Sequence, residues 1–243
     1  MRSRRIERKP SFGRHPPATF SLKKKISLSV LALLLFATAP AAAQGPRETR
    51  GGPAGAFDFY VLALSWSPGF CELEGERRGL EQCAPGRGLG FVVHGLWPQF
   101  ERGYPTECGP AGRSPSRLAM EEAADVFPSQ GLARHEWRKH GACSGKSPAE
   151  YFRDVRRARE RVRVPDALAQ PTDDLRMTPL ALERAFADAN PGLRPDMMSV
   201  SCRRGVLQEV RICLDRALDG FRTCPQVDHS GCRTGEITIR AAR

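Results

Sequence analysis

The 243-residue chain has eight cysteines but no Cys-x-x-Cys pair, so the common zinc-ribbon and redox spacings are missing. It has no apolar stretch of bilayer length. The most apolar segment, residues 26–39, covers 14 positions, against the roughly 20 a spanning helix needs. That favours a cleaved leader over an uncleaved membrane anchor for this segment. Internal repeats and low-complexity blocks are absent, which argues against a solenoid. Regular βαβ alternation is absent too, which argues against a doubly wound parallel sheet. Histidine is scarce, with five in the chain, and three of them fall in two short segments.

The net charge of +11 suggests a nucleic-acid binder at first sight. Residues 1–43, however, hold nine Lys/Arg and one acid, Glu7; the remaining 29 basic and 26 acidic residues leave +3. The basicity is therefore mostly a property of the N-terminus. That N-terminus reads as a secretory signal peptide: Lys23-Lys24-Lys25, the apolar segment, then Ala41-Ala42-Ala43 as a small-x-small cleavage site. Residues 44–56 are rich in Gly and Pro and are expected to be a flexible segment. Residues 57–243 suit one domain with a sizeable core.

All eight cysteines, Cys71, Cys83, Cys108, Cys143, Cys202, Cys213, Cys224 and Cys232, lie in that domain. An even number in an exported chain implies disulfides. Eight cysteines permit on the order of a hundred connectivities. Proximity favours Cys71–Cys83. A Cys108–Cys143 link would tie the two histidine segments' neighbourhoods together, and Cys202–Cys232 could nest around Cys213–Cys224.

Coarse patterning predicts strands at 57–66 and 88–94, with His94 at the end of the second, and further strands at 208–214 and 236–239. Helices are predicted at 117–126, 132–140, 148–162 and 179–189, the last capped by Thr178-Pro179 and ended by Asn190-Pro191-Gly192. Mixed helices and strands indicate an α+β fold: a single disulfide-bonded domain with a central, mainly antiparallel sheet flanked by helices.

The two histidine segments are His94-Gly95-Leu96-Trp97-Pro98 and His135-Glu136-Trp137-Arg138-Lys139-His140-Gly141-Ala142-Cys143. On a helix, Glu136 and His140 are i,i+4 and share a face, and His135 and Lys139 share the neighbouring one. The spacing is His-Glu-x-x-x-His, one residue longer than the zinc-protease helix, and Lys139 occupies the ligand position. A metal is therefore not expected. Two imidazoles on separate elements, with a carboxylate and an ammonium, suit metal-free cleavage of RNA. One imidazole takes the 2′-hydroxyl proton and the other protonates the departing 5′-oxygen. DNA lacks that hydroxyl. The fourth histidine outside the leader, His229, reads as loop surface.

These two segments, preceded by Phe91-Val92-Val93, resemble the active-site segments of the ribonuclease T2 family. Leu64-Ser65-Trp66-Ser67-Pro68-Gly69-Phe70-Cys71 and Glu209-Val210-Arg211-Ile212-Cys213 are similar to further family stretches, so the likeness spans the mature chain. The resemblance implies His94 and His140 as the acid–base pair, with His140 the base and His94 the acid in the first step. It implies Glu136 as a third catalytic group that polarises the phosphate or tunes His140. Lys139 would stabilise the pentacovalent phosphate, His135 would bind phosphate, and Trp97 would stack on a base. No cofactor is implied. The partner would be RNA, with neither DNA nor a membrane involved once the leader is removed, and the protein would be a periplasmic or secreted monomer. The chain departs from the family where Gln99 follows Pro98, a position at which many members carry an adenine-reading Asp. It also lacks aromatics before His135. Broad base preference is the expectation.

Overall fold

A computed structural model of the chain describes residues 47–109 and 114–242. The signal peptide expected at 1–43 lies outside the described residues, as do positions 44–46. In chain order the elements are β1 (Glu48–Arg50), β2 (Phe59–Trp66), α1 (Ser67–Phe70), β3 (Phe91–Gln99), β4 (Tyr104–Thr106), α2 (Arg117–Glu122), α3 (Gln130–Lys139) and α4 (Pro148–Arg161). They continue with α5 (Asp166–Ala169), β5 (Leu175–Met177), α6 (Pro179–Ala189), β6 (Met198–Arg203), β7 (Val206–Leu214), α7 (Pro225–Asp228) and β8 (Ile237–Ile239).

The main sheet runs β3-β2-β7-β8-β5, with β6 also paired to β7. Every pairing in it is antiparallel except the single Val206–Thr238 link between β7 and β8. With helices packed against it, this is the α+β architecture that the patterning implied. Strand β2 is apolar without alternation because both its faces are covered. Tyr60, Leu62, Leu64 and Trp66 enter the large core with Tyr151, Phe152 and Val155 of α4. Phe59 and Val61 enter a smaller cluster on the opposite face with Cys213, Cys224 and Val227, against which Trp97 packs.

Local chemistry explains the helix starts. Ser129 accepts from the Leu132 N–H and starts α3 two residues before the position predicted from periodicity. Ser147 and Glu150 form a reciprocal capping box on α4. Thr178 caps α6, with Pro179 in its first turn. Helix α2 ends at Glu122 rather than continuing to 126; Asp125 then adopts a left-handed φ of 60° that no helix accommodates.

Two expectations need correction. The second strand is Phe91–Gln99, so His94 lies inside it and not at its end. Pro98 does not break it, because β3 is the sheet's edge and has an unpaired side. The part of the 44–56 segment that is described, from residue 47, is held in place. Strand β1 pairs in parallel with β4, and Arg50 forms an ion pair with Glu107 at 2.5 Å. Gly55 donates to the Cys143 carbonyl at 2.9 Å, and Arg216 donates to the carbonyls of Gly55 and Phe57. Four disulfides join Cys71–Cys83, Cys108–Cys143, Cys202–Cys232 and Cys213–Cys224.

Candidate active site

His94 reaches the site through a β-bulge. Along the β2–β3 ladder, Leu62 faces Leu96 and Ala63 faces Gly95, but Leu64 faces Val93. His94 is the extra residue. Strict alternation from Leu96 would send its side chain into the large core; the bulge re-aims it to the other face. There its Nδ1 lies 2.6 Å from Glu209 Oε2. Glu209 stands on β7 opposite Ser65, and its other oxygen accepts from Arg211 Nε at 2.6 Å. Arg211 in turn lies over the Trp97 ring, 5.3 Å from its centre.

Helix α3 supplies the facing wall. Its buried side points Ala133, Glu136 and Trp137 inward. Glu136, 1% exposed, accepts from Trp97 Nε1 at 2.8 Å, and its second oxygen lies 3.6 Å from His94 Nε2. Thus Glu136 is bound to the first histidine segment and faces His94. A side chain at Gly95 would collide with the Glu136 carboxylate and the Trp97 indole nitrogen, so this close approach needs glycine.

His140 is not a helical residue. It caps α3 with φ −121° and ψ −45°, and a 3-10 turn from Gly141 to Ser144 follows. It therefore does not share a helical face with Glu136, although its N–H still donates to the Glu136 carbonyl at 2.9 Å. Three ties fix this corner. Glu107, in a left-handed conformation, donates its N–H to the Lys139 carbonyl at 2.8 Å. The Cys108–Cys143 bridge follows immediately on both sides. Gly141 allows Trp137 and Tyr151 to close over the turn, and the Tyr151 hydroxyl donates to the Leu96 carbonyl at 3.0 Å.

Both imidazoles contact the Trp97 ring. His94 meets Trp97 edge-on at 5.3 Å, and Trp97 meets His140 at 5.2 Å. His94, Trp97, Gln99, His135, Glu136, Lys139 and His140 all line one cleft of about 360 Å³. His229 is exposed at the end of α7 and lies outside this lining. Arg138 is exposed and rests against His135 Nδ1 at 3.3 Å.

The two central histidines are driven apart electrostatically. His140 is 6% exposed, and its Nδ1 has no hydrogen-bond partner among the described residues. Burial, then the charges of Lys139, His94 and His135, push its pKa down to about 3. For His94, burial opposes the charge. The Glu209 hydrogen bond and charge, aided by Glu136, outweigh burial and hold its pKa above the ordinary histidine value. Burial also opposes ionisation of Glu209, yet its bonds to His94 and Arg211 hold that carboxyl down at about 2. Burial raises Glu136, and burial with Arg138 and Lys139 lowers His135.

Glu209 and Arg211 were not among the sequence candidates. Their signal was available: two charged residues, two apart, in the otherwise apolar strand Val206–Leu214. Tyr104, Gln226 and Ser230 also line the cleft and carried no such signal. Among the described residues, no group of three or more His, Cys, Asp or Glu is placed to hold a metal ion.

Comparison with known proteins gives a consistent picture. A ribonuclease from Aeromonas hydrophila is 39% identical over 176 residues, covering 71% of this chain and 79% of that protein. Ribonuclease I of Escherichia coli is 30% identical over 183 residues, covering 59% of this chain and 66% of that protein. A mutant of ribonuclease MC1, solved in complex with 5′-UMP, superposes with a TM-score of 0.56 at 21% identity, covering 74% of this chain and 97% of that one. The Ribonuclease T2 family profile matches residues 57–224, which contain the bulged strand, the capped helix and most of the cleft lining. On that match the chain belongs to the ribonuclease T2 family of RNA endonucleases.

Proposed function

We propose that the protein is an exported endoribonuclease that cleaves single-stranded RNA, with little base specificity, by metal-free transesterification. The observation that carries this is the opposed state of two histidines on different elements beside one cleft. The pKa of His140 is pushed down, which suits it to accept a proton, and that of His94 is held above the ordinary value by Glu209, which suits it to give one.

In the first step His140 takes the proton of the 2′-hydroxyl. The 2′-oxygen attacks phosphorus, the P–O5′ bond breaks, and His94 protonates the departing 5′-oxygen. The product is a 2′,3′-cyclic phosphate. In the second step the roles reverse: His94 takes a proton from water, and His140 returns one to the 2′-oxygen as the ring opens to a 3′-phosphate. Lys139 and His135 lie on the cleft wall where they can counter the charge on the pentacovalent phosphate. Trp97 lines the same cleft and contributes its ring to base binding, its N–H being committed to Glu136. Gln99 lines the same cleft and tunes base preference there.

The 5′-UMP held by the structural neighbour supports a nucleotide-binding cleft. The apolar leader with its cleavage site and the four disulfides support export to an oxidising compartment, the periplasm or the medium. The deciding experiment is digestion of single-stranded RNA in EDTA with analysis of product ends. Cyclic phosphates followed by 3′-phosphates are expected. Loss of cleavage in EDTA, or ends without a cyclic intermediate, overturns the reading. Gln99→Ala is expected to change dinucleotide preference while leaving cleavage intact.

A further inference from the structure

His94 is held from behind as well as from the front. Its Nε2 side faces Glu136 of α3 at 3.6 Å; its Nδ1 side faces Glu209 of β7 at 2.6 Å. Trp97 of its own strand packs edge-on against it, and the charges of Arg211, His135, Lys139 and His140 act within the same cluster. Glu209 is 6% exposed, and a carboxylate at that burial is costly unless it is paired. Both its oxygens are committed, one to His94 and one to Arg211. An apolar side chain would fill this strand position more cheaply, as Val206, Leu207 and Val210 do nearby.

We propose that Glu209 is the positioning residue of this site: it fixes the His94 ring in the orientation that turns Nε2 into the cleft, and it keeps that ring charged for proton donation. The proposal rests on the reading of His94 as the acid of the cyclising step. A carboxylate on Nδ1 dictates that Nδ1 carries a proton, so proton exchange with substrate is confined to Nε2. Arg211 completes the device. It keeps Glu209 ionised from its other side by engaging the oxygen that His94 does not use. Because β7 pairs with β2, and β2 with the bulged strand β3, the orientation of the acid is set by three strands of the sheet and not by side-chain rotamers alone.

Glu209→Gln preserves the shape and a hydrogen-bond acceptor but removes the charge. The pKa of His94 then falls, so the alkaline limb of the kcat/KM profile should move to lower pH by about one unit. At neutral pH, kcat should drop by at least tenfold, with KM for a dinucleotide changed less than threefold and the thermal transition still cooperative. A folded Glu209→Gln protein with the native profile and kcat overturns the proposal. If that variant does not fold, the titration of the His94 ring by NMR in the native protein decides. A pKa above that of free histidine supports the proposal, and one at or below it overturns the proposal. His94→Ala separates the two levels. Normal turnover by His94→Ala removes His94 from the chemistry altogether, whereas inactive His94→Ala beside native-like Glu209→Gln removes Glu209 alone.

Discussion

The Trp97 indole donates to the Glu136 carboxylate at 2.8 Å, joining the first histidine segment to the second across the cleft. A tryptophan that served only as a stacking surface would leave its N–H in water. Here the N–H satisfies a carboxylate that is 1% exposed. Trp97→Phe keeps the ring and removes the donor. Loss of a hydrogen bond to a buried charged group costs roughly 1.5–3 kcal/mol. The expected result is a lower unfolding midpoint and a kcat reduced at least tenfold. A change in KM alone, with stability unaltered, would return Trp97 to a purely base-binding role.

Gly95→Ala tests the close approach of the same groups. The added methyl would meet the Glu136 carboxylate and the Trp97 nitrogen, which are hydrogen-bonded to each other. Overpacking of this kind costs about 1–3 kcal/mol. The variant should fold, unfold at a lower denaturant concentration, and show little activity. Full activity would mean that the Trp97–Glu136 contact is dispensable.

The rate profile follows from the two histidines. The base must be deprotonated and the acid protonated, and their shifts are opposite in sign. kcat/KM should therefore rise through an acid limb well below pH 6.5 and fall through an alkaline limb above it, leaving a broad plateau between. A narrow bell with both limbs near pH 6.5 would show that the two rings do not differ in this way.

Stability carries the same signature. Between about pH 3 and 6.5 the unfolded chain binds the proton that folded His140 refuses, so stability rises with pH. Above 6.5 the folded state retains a proton on His94 that the unfolded chain has released, so stability falls. Melting temperature should peak near pH 6.5. His140→Gln should flatten the slope from about pH 4.5 to 6.5 and leave the alkaline side unchanged; an unaltered acid slope would assign that slope to other groups.

Cys108–Cys143 closes a loop of 35 residues that contains all of α3. Replacing both cysteines by alanine should cost roughly 3–4 kcal/mol of stability. Because the bridge sits three residues beyond His140, activity should also fall at temperatures where the protein remains folded. Denaturant titration and turnover measured on the same sample check both effects.

Much of this was legible in the sequence. Three of five histidines in two segments marked the cleft, and the Ser and Thr caps marked the helices, because both signals are local. The position of His94 was not, since a bulge is a relation between two strands and alternation along one strand cannot reveal it. The departure of His140 from the helix was hidden for a related reason. Gly141 signals a stop, but the turn that follows is set by the packing of Trp137 and Tyr151 around it. Glu209 is charged in a strand of apolar neighbours and was detectable. Its partner was not, because His94 is 115 residues away and reaches it only once β2 has brought β3 and β7 to its two sides.

The bulge at His94 also makes activity a gauge of strand registration. A slip of one residue between β2 and β3 would return the imidazole to the apolar side of the sheet and separate it from Glu209, while most apolar burial could be recovered by other side chains. Such a species would be compact, disulfide-bonded and silent. Recovery of turnover after refolding therefore counts molecules whose sheet is correctly aligned, which far-ultraviolet spectra and thiol titration cannot do.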